Sequence, residues 1–513
     1  MRGTFCLVLH SHLPWVAHHG RWPVGEEWLY QAWAQAYLPL ADVLRRLAAE
    51  GRRDLLTLGV TPVLAAQLDD PHCLRGVHTW LATWQLRAHE AAGRLPELAG
   101  YEHRRAAAAL AEFETHWRHG GSPVFRSLEG AVELLGGPAT HPFGPLLDPR
   151  VREFALEVGL SDARWRTGAL PAGIWAPECG FAPGMEQEYA AAGVTHFLVD
   201  GPALHGDTAF ARPVGGTVPV GGTVPVGGTV PVDGVVPGDG TVHCVGRDLE
   251  VTYRVWSPRK GYPGHRSYRD FHTYDHASGL KPARVTGPDV PPHEKAPYSP
   301  ARAAAQVERD AVDFVDVVGA RLDALREKHG RPALTVAAFD TELFGHWWHE
   351  GPAWLEAVLR ALPEAGVRVT TLRGALADPG LIGEPVELPP SSWGSGKDWR
   401  VWAGEAVTDL VELHGRVQDA VLTAVGKGRS PARDPLLDAL AEQALLALSS
   451  DWAFMVTTGS TVGYARERAH RHADRVFALA RLLDEGRREE AGALVRGWEQ
   501  GPFGHVDARR LRV

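Results

Sequence analysis

Residues 334–340 read Leu-Thr-Val-Ala-Ala-Phe-Asp, an apolar run that ends directly at a carboxylate. Six further runs share its apolar, β-branched character and its flanking turn residues: 4–9, 55–60, 131–135, 195–199, 251–256 and 367–371. Runs of this length and composition are typical of buried strands. Helical patterns lie between several of them, as at 32–49 and 300–328. Strands that alternate with helices predict an α/β fold with a parallel sheet, open or closed into a barrel.

Two regions depart from this alternation. Residues 73–126 have helical periodicity throughout and no strand-like run, which indicates a helical insertion. After residue 376 a proline-rich passage leads to the helical patterns 412–425, 435–448 and 461–484. We therefore expect three parts: a catalytic domain made of 1–72 and 127–376, a helical insertion at 73–126, and a C-terminal helical domain at 377–513.

Composition excludes several classes of partner. The chain has 513 residues, and 62 acidic residues against 53 basic ones give a net charge of -9. Without a long basic run, neither nucleic acid nor an anionic membrane surface is an expected partner, whereas a neutral polymer is compatible. The early apolar run 5–9 is too short for a membrane span and lacks the basic region of a secretion signal. Oligomeric state has no signature in the sequence.

The four cysteines, Cys6, Cys73, Cys179 and Cys244, are dispersed and form no CxxC pair. This pattern fits a reducing compartment and argues against a thiolate zinc cluster. We expect a cytoplasmic protein.

A repeat interrupts the chain at residues 213–232, where the hexad Val-Pro-Val-Gly-Gly-Thr recurs almost without change. Proline every sixth residue excludes a helix, and the Gly-Gly pairs weaken any strand. We interpret the segment as an exposed, turn-rich loop, and replication slippage tolerated at the surface explains it better than a binding function does.

Two carboxylates stand out by their surroundings. Glu178 ends the stretch Trp-Ala-Pro-Glu, and Asp340 begins Asp-Thr-Glu-Leu-Phe-Gly-His-Trp-Trp. A carboxylate at a strand end often only caps a helix or pairs with an arginine. Two such residues, together with His10, His12, His141 and many tryptophans, instead favour cleavage of a bond between sugar rings, which needs one nucleophile and one proton donor.

The two carboxylates differ in their expected roles. Glu178 follows Pro177, whose fixed backbone suits a nucleophile that must meet the anomeric carbon at close range. Asp340 is then the acid and base, which requires a raised pKa. Glu342 is a rival of Asp340, since alternation along a strand places both on one face.

His10 and His12 are separated by one residue at the end of the first strand. They could hydrogen-bond sugar hydroxyls, or they could bind a metal with help from His346, His349 and Glu350. A metal-dependent carbohydrate deacetylase is therefore an alternative from another class of enzyme, because its barrel also begins with an HxH motif.

Tryptophan is unusually frequent, with 18 Trp against 10 Tyr. A tryptophan belongs to the core by default, but Trp22, Trp393 and Trp402 lie in loop-like passages where a sugar ring could stack. Arg247 and Asp451 are candidate clamps on sugar hydroxyls.

With these residues in place, the chain resembles glycoside hydrolase family 57 and, within it, the 1,4-α-glucan branching enzymes. Residues 10–14, His-Ser-His-Leu-Pro, resemble the first motif of the family, and residues 59–62, Gly-Val-Thr-Pro, resemble the second. The stretches that contain Glu178 and Asp340 resemble the third and fourth motifs, and residues 450–454, Ser-Asp-Trp-Ala-Phe, resemble the fifth.

The resemblance implies an incomplete (β/α)7 barrel and a retaining mechanism in which Glu178 is the nucleophile and Asp340 the acid/base. It implies no metal or organic cofactor. It also implies an α-glucan substrate such as amylose or glycogen, in which α-1,4 linkages are cut and α-1,6 branches are formed. The same matching places these residues along the glucan groove: His10, His141, Trp22, Trp256, Trp393 and Trp402.

One departure from the family pattern concerns the balance between transfer and hydrolysis. Branching members have a loop tyrosine over the site, whereas this chain has no Tyr between Tyr189 and Tyr253. An α-amylase-like hydrolase and a 4-α-glucanotransferase of the same family therefore remain alternatives. A catalytically silent glucan-binding protein is a third.

Overall fold

The structure is a computed structural model that describes residues 1–21, 24–215, 240–257, 261–428 and 431–512. Trp22, which the sequence placed in the groove, and most of the hexad repeat lie outside the described residues. Within the described residues, no helix is both long enough and apolar enough to cross a membrane.

The strands form two sheets that are mainly parallel. They are β1 (Gly3–Ser11), β2 (Leu56–Val60), β3 (Val132–Leu135), β4 (Gly173–Ile174), β5 (His196–Asp200), β6 (Arg212–Val214), β7 (Val242–Arg247), β8 (Leu334–Asp340) and β9 (Val367–Val369). One sheet has the order β3-β2-β1-β8, with β9 also paired to β1, and the other has the order β4-β5-β7-β6. Only β6, against β7, is antiparallel among these pairs.

Two short connections turn the sheets into one ring. Gly136, just after β3, forms a parallel bridge with Ile174 of β4. At the other side, the amide of Asp248, just after β7, donates to the carbonyl of Val336 in β8 over 2.8 Å. Seven parallel strands of the described chain thus surround one interior. The ring is held most weakly between β3 and β4 and between β7 and β8. This arrangement confirms the incomplete (β/α)7 barrel.

β1 shows how the sequence builds the ring. All nine of its residues are buried, because both faces of a parallel strand in a barrel are covered. Phe5, Leu7 and Leu9 pack with the outer helices, whereas Cys6 and Val8 face the barrel interior with Val336 and Ala338 of β8. The same alternation directs the next even-numbered residue, His10, towards the interior.

Helices cover the outside of the ring and form the rest of the molecule. They are α1 (Glu26–Ala32), α2 (Leu38–Ala49), α3 (Pro62–Asp69), α4 (Pro71–Glu90), α5 (Pro96–Glu112), α6 (Gly121–Ser127), α7 (Pro149–Thr167), α8 (Met185–Ala191), α9 (Leu249–Val255), α10 (Pro300–His329), α11 (Gly351–Glu364), α12 (Leu372–Leu376), α13 (Arg400–Ala403), α14 (Thr408–Lys427), α15 (Pro435–Ala447), α16 (Ser450–Thr457), α17 (Val462–Asp484) and α18 (Arg488–Arg496). α10 has the expected signals at its ends: Ser299 caps the first turn, and Gly330 follows the last turn with φ 68°.

The strand predicted at 251–256 is wrong, because these residues form α9 and the strand of this region is β7. Asp248 caps the helix by accepting a hydrogen bond from the amide of Val251 over 3.2 Å. The β-branched Val251, Thr252 and Val255 are buried at helical spacing. Tertiary burial therefore outweighed the strand propensity of the β-branched residues.

The C-terminal helices contact the barrel close to its opening. Thr140 Oγ1 donates to the carbonyl of Leu445 over 2.6 Å, and the amide of Ser450 donates to the carbonyl of His141 over 3.0 Å. These two bonds hold the end of α15 and the start of α16 against the loop after β3. Ser450 and Asp451 are thereby brought to the carboxyl ends of the strands.

Candidate active site

A cavity of about 1110 Å³ opens at the carboxyl ends of the strands. Glu178, Asp340 and Glu342 all line it. His10 of β1 is in register with Asp340 of β8, so both residues point from neighbouring strands towards the same interior. The two carboxylates identified in the sequence are therefore brought to one cavity.

Glu178 lies in a tight turn and not at the strand end that the sequence suggested. β4 ends at Ile174, and the turn Pro177–Cys179 follows. Glu178 has φ 61° and Cys179 has φ 49°, a left-handed conformation that non-glycine residues rarely adopt. The amide of Trp393 donates to the carbonyl of Glu178 over 2.8 Å and helps to keep this conformation.

The Glu178 carboxylate accepts two hydrogen bonds at 2.9 Å, one on each oxygen. Trp393 Nε1 donates to Oε2, and Ser450 Oγ donates to Oε1. His141 Nδ1 lies 3.8 Å from Oε1. Burial raises the pKa of Glu178 to about 7 although both donors lower it.

Asp340 is the last residue of β8, and its side chain is mostly buried. No group in the described part of the chain donates a hydrogen bond to its carboxylate, so the group remains available to a ligand. Burial raises the pKa of Asp340 to about 6, against the lowering effect of His12 and Arg247.

Glu342 is already engaged with the protein. Its Oε1 accepts hydrogen bonds from the hydroxyl of Tyr37 and, over 3.2 Å, from the amide of His12. Burial raises the pKa of Glu342 to about 8, and the charge of Asp340 contributes. Glu342 is therefore held by the protein, whereas the Asp340 carboxylate accepts no hydrogen bond from the described residues.

Three histidine rings form a stack beside the carboxylates. The His12 and His141 centroids are 3.8 Å apart, and His10 Nε2 lies 3.1 Å from His141 Nε2. Burial holds the pKa of His10 and of His141 well below the ordinary value, so both rings are neutral. For His12 burial acts in the same direction, but the carboxylate of Asp451, 2.9 Å from Nε2, raises the pKa overall.

His12, His141 and Asp451 are the group of described residues whose ligand atoms are close enough to share a metal ion. Their geometry suits hydrogen bonding better. The two rings are only 22° from parallel, so their in-plane lone pairs do not converge on one point. His12 Nδ1 is already bonded to Thr61 Oγ1 over 3.0 Å, and His141 Nδ1 to Ser450 Oγ over 2.9 Å.

The other suggested metal ligands, His346, His349 and Glu350, do not line this cavity. His346 Nδ1 bonds Gln35 Oε1 over 3.1 Å, and His349 Nε2 bonds the Tyr101 hydroxyl over 2.9 Å. These three residues line neighbouring cavities instead.

The aromatic residues divide into two groups. Trp393 and Trp256 line the cavity, and Trp256 is 48% exposed beside Trp347, with their ring centroids 6.4 Å apart. Trp402 is 2% exposed, stacks on Phe143 at 4.5 Å, and lies outside the cavity lining. The structure therefore makes Trp402 a core residue, because the helical C-terminal region closes over its ring.

Arg247 lies in the lining but is held by the protein. Its Nε donates to Asp200 Oδ1 over 2.8 Å, and its guanidinium lies 5.2 Å from the ring centroid of Trp393. Lys397 also pairs with Asp200, over 2.7 Å. Arg247 thus supports the tryptophan that bonds to Glu178, in addition to facing the cavity.

Several residues of the site were missed by the sequence analysis: Tyr253 and Phe454 line the cavity, and Ser450 bonds to Glu178. Ser450 directly precedes Asp451 in the fifth motif, and that adjacency was the available signal. Tyr253 and Phe454 are 37% and 44% exposed, which is unusual for large rings and fits a surface that a ligand covers.

The fold and the site are those of a carbohydrate-active barrel, and the chain belongs to glycosyl hydrolase family 57. The model of that family matches residues 6–215. A second model, described as 1,4-alpha-glucan branching enzyme, C-terminal, matches residues 412–510.

Particular relatives agree with this placement. A probable 1,4-alpha-glucan branching enzyme of Mycobacterium tuberculosis is 57% identical, over 99% of this chain and 98% of the relative. A 1,4-alpha-glucan branching enzyme of Thermococcus kodakarensis is 32% identical over 94% of this chain and 74% of its own length. The crystal structure of a branching enzyme of this family from Pyrococcus horikoshii superposes with a TM-score of 0.88 and 28% identity, covering 100% of this chain and 97% of that one.

Proposed function

We propose that the protein is a retaining α-glucan transglycosylase that cleaves α-1,4 linkages and forms α-1,6 branches. The observation that carries the proposal is the single cavity in which Glu178 and Asp340 lie among histidines and tryptophans. Similarity along nearly the whole chain to proteins named 1,4-alpha-glucan branching enzymes supports the reaction and an α-glucan such as amylose or glycogen as substrate.

In the first half-reaction the Glu178 carboxylate attacks the anomeric carbon of a glucosyl unit. The bond to the departing 4-oxygen breaks, and Asp340 gives that oxygen its proton. The leaving chain departs with a free 4-hydroxyl, and the donor segment stays on Glu178. Ser450 and Trp393 each hold one oxygen of the carboxylate, which fixes its orientation for the attack.

In the second half-reaction a 6-hydroxyl of an acceptor chain attacks the glycosyl-enzyme. Asp340, now ionised, takes the proton of that hydroxyl, and the Glu178 carboxylate is released. Water in place of the acceptor gives hydrolysis. Apolar and aromatic walls, including Trp256 and Phe454, favour a bound sugar over water at this step.

The first step requires the carboxylate pair to carry one proton. Burial raises the pKa of both groups, to about 7 for Glu178 and about 6 for Asp340. Between these values the pair carries one proton, and the reactive form is the one in which Glu178 is ionised and Asp340 is protonated. The two donors to Glu178 stabilise its anion, whereas Asp340 has no donor among the described residues, and this difference supports the assigned roles.

The histidines are proposed to bind sugar hydroxyls. His10 and His141 line the cavity, and a sugar hydroxyl that bonds to either ring would replace the contact between their Nε2 atoms. His12 pairs with Asp451, and its raised pKa provides positive charge close to Glu178 and Asp340. A cation in this position stabilises the ionised member of the carboxylate pair.

The direct test is turnover of amylose by Glu178→Gln and Asp340→Asn, with new α-1,6 linkages and released reducing ends counted separately. Both variants should lose at least a thousandfold in rate while keeping the wild-type circular dichroism spectrum. Glu153→Gln, an exposed change on α7, is the matched control and should keep full activity. Many reducing ends with few new branches in the wild type would contradict the transferase proposal.

Removal of metal separates this proposal from a deacetylase. Incubation with a chelator followed by desalting should leave amylose turnover unchanged, because the steps above use only carboxylates. Loss of turnover that zinc restores would contradict the proposed mechanism.

The cytoplasm is the proposed compartment. The four cysteines are free and buried, which fits a reducing environment. Nucleic acid is not proposed as a partner, because the chain is acidic overall.

A further inference from the structure

A second and smaller cavity adjoins the main one. Its volume is about 60 Å³. Trp347 and Tyr274 line both cavities, so a ligand in the larger cavity has access to the smaller one. Since one water needs on the order of 10–15 Å³ on this measure, the space accommodates a group of four or five heavy atoms and not a sugar ring.

The lining of this side cavity has an excess of positive charge. It contains four cationic and two anionic side chains: Arg87, Arg105, Arg269, Lys281, Glu102 and Asp270. Glu102 is paired with Arg269 over 2.6 Å, and Asp270 is paired with Lys295 over 2.6 Å. Both carboxylates are therefore already neutralised.

Arg87 and Lys281 have no carboxylate within 4.0 Å in the described part of the chain. Both cations contact ring faces: the Arg87 guanidinium lies 5.4 Å from the Trp80 centroid, and Lys281 Nζ lies 3.6 Å from the Phe271 centroid. Arg87 Nε is buried without a hydrogen-bond partner among the described residues. Carboxylates act on these cations only from beyond direct contact, Glu27 and Glu102 on Arg87 and Asp270 and Glu102 on Lys281, and an aromatic face replaces only part of the hydration that a partly buried cation loses.

Burial and, to a smaller extent, the charge of Arg269 lower the pKa of Lys281 to about 7, although the charges of Asp270 and Glu102 raise it. Such a lowering is expected of a partly buried cation without a carboxylate in direct contact. A bound anion would reverse it.

We propose that the side cavity, which Arg87 and Lys281 both line, binds a phosphate-sized oxyanion. Arginine and lysine are the side chains that proteins use for this chemistry, since both donate charged hydrogen bonds. The anion has two sources: free inorganic phosphate, or a phosphate ester on a glucosyl unit stacked at Trp347. The ester source rests on the proposed glucan-binding function, whereas the free anion does not.

The test is a thermal-shift titration of the whole protein with inorganic phosphate at constant ionic strength, maintained with sodium chloride. Phosphate should raise the Tm of the wild type in a saturable way, because a ligand that binds only the native state stabilises it. Lys281→Met keeps the length of the side chain and should abolish the shift. Lys328→Met, an exposed change in the last turn of α10, is the matched control and should keep it.

A second titration compares glucose 6-phosphate with glucose. The ester source is supported if glucose 6-phosphate raises the Tm of the wild type, if Lys281→Met removes that rise, and if glucose gives no rise. This holds even where free phosphate has no effect. Equal responses of wild type and Lys281→Met to both phosphate ligands would overturn the proposal. Arg87→Gln repeats the comparison if Lys281→Met does not fold. Because the measurement is of binding, Glu178→Gln should still respond to inorganic phosphate even without glucan turnover.

Discussion

Glu178 combines backbone strain with a well-defined hydrogen-bond environment. Its φ of 61° and the φ of 49° at Cys179 each cost about 1–3 kcal/mol. The contacts that maintain them come from distant parts of the chain, namely the backbone and ring of Trp393 and the hydroxyl of Ser450. Strain of this kind is typical of residues whose exact position matters for chemistry.

The first prediction at the residue scale concerns pH. The dependence of activity on pH should be bell-shaped, with its maximum between about pH 6 and 7. Below this range both carboxylates are protonated and Glu178 cannot attack; above it both are ionised and Asp340 has no proton to give. The measurement is kcat/KM for amylose from pH 4.5 to 9. A rate that stays constant from pH 5 to 9 would contradict the account.

The second prediction concerns the hydrogen bond that Trp393 Nε1 donates to the Glu178 carboxylate. Trp393→Phe keeps a ring in the cavity wall but removes the hydrogen bond to Glu178 Oε2. A hydrogen bond to a charged group contributes about 1.5–3 kcal/mol, so the pKa of Glu178 should rise by about one to two units. Since Glu178 has the higher pKa of the pair, the alkaline limb of the bell should move upwards and the maximum rate should fall about tenfold or more.

The matched control is Trp165→Phe, because Trp165 is 79% exposed and lies outside the cavity lining. Its pH profile should equal that of the wild type. An unmoved alkaline limb in Trp393→Phe would show that the hydrogen bond does not set the pKa of Glu178.

At the scale of elements, the regular helices and strands follow from local sequence. α10 begins and ends within one residue of its predicted bounds, 300–328, because a serine cap and a following glycine define its ends. The predicted segments at 412–425, 435–448 and 461–484 are likewise helical. The errors occurred where tertiary contacts decide, as at α9, or where the element is very short, as at β4 with two residues.

A prediction at this scale concerns the start of α4, the first helix in the region 73–126. The Asp70 side chain accepts hydrogen bonds from the amides of His72, over 2.7 Å, and Cys73, over 3.1 Å. Asp70→Ala should destabilise the protein by about 1 kcal/mol and lower its Tm. Asp70→Asn keeps an acceptor oxygen and should retain most of the stability. Equal Tm values for Asp70→Ala and the wild type would argue against the cap.

At the scale of the whole molecule, the site is assembled from parts that are far apart in the sequence. β1 supplies His10, the turn after β4 supplies Glu178, β8 supplies Asp340, and α16 supplies Ser450 and Asp451. The motifs identified the carboxylates and His10 from sequence. They did not show that Ser450 bonds to Glu178 or that Trp402 is buried, because both depend on how the C-terminal helices close on the barrel.

The prediction at this scale is that the C-terminal helices take part in the chemistry. Ser450→Ala removes the bond to Glu178 Oε1 and should lower kcat on amylose about tenfold to a hundredfold, while the circular dichroism spectrum stays that of the wild type. Ser127→Ala, an exposed change at the end of α6, serves as its control. Wild-type kcat in Ser450→Ala would mean that the C-terminal helices only cover the barrel.

The central claim is that Glu178 and Asp340 act together across one cavity, and trapping the glycosyl-enzyme tests it most directly. Asp340→Asn treated with an α-glucosyl fluoride, whose leaving group needs no proton, should accumulate the covalent intermediate because its release is slow. Mass spectrometry of the digested protein should then find one glucosyl unit on the peptide that contains Glu178. A glucosyl unit on another carboxylate, or turnover of the fluoride by Glu178→Gln at the wild-type rate, would contradict the account.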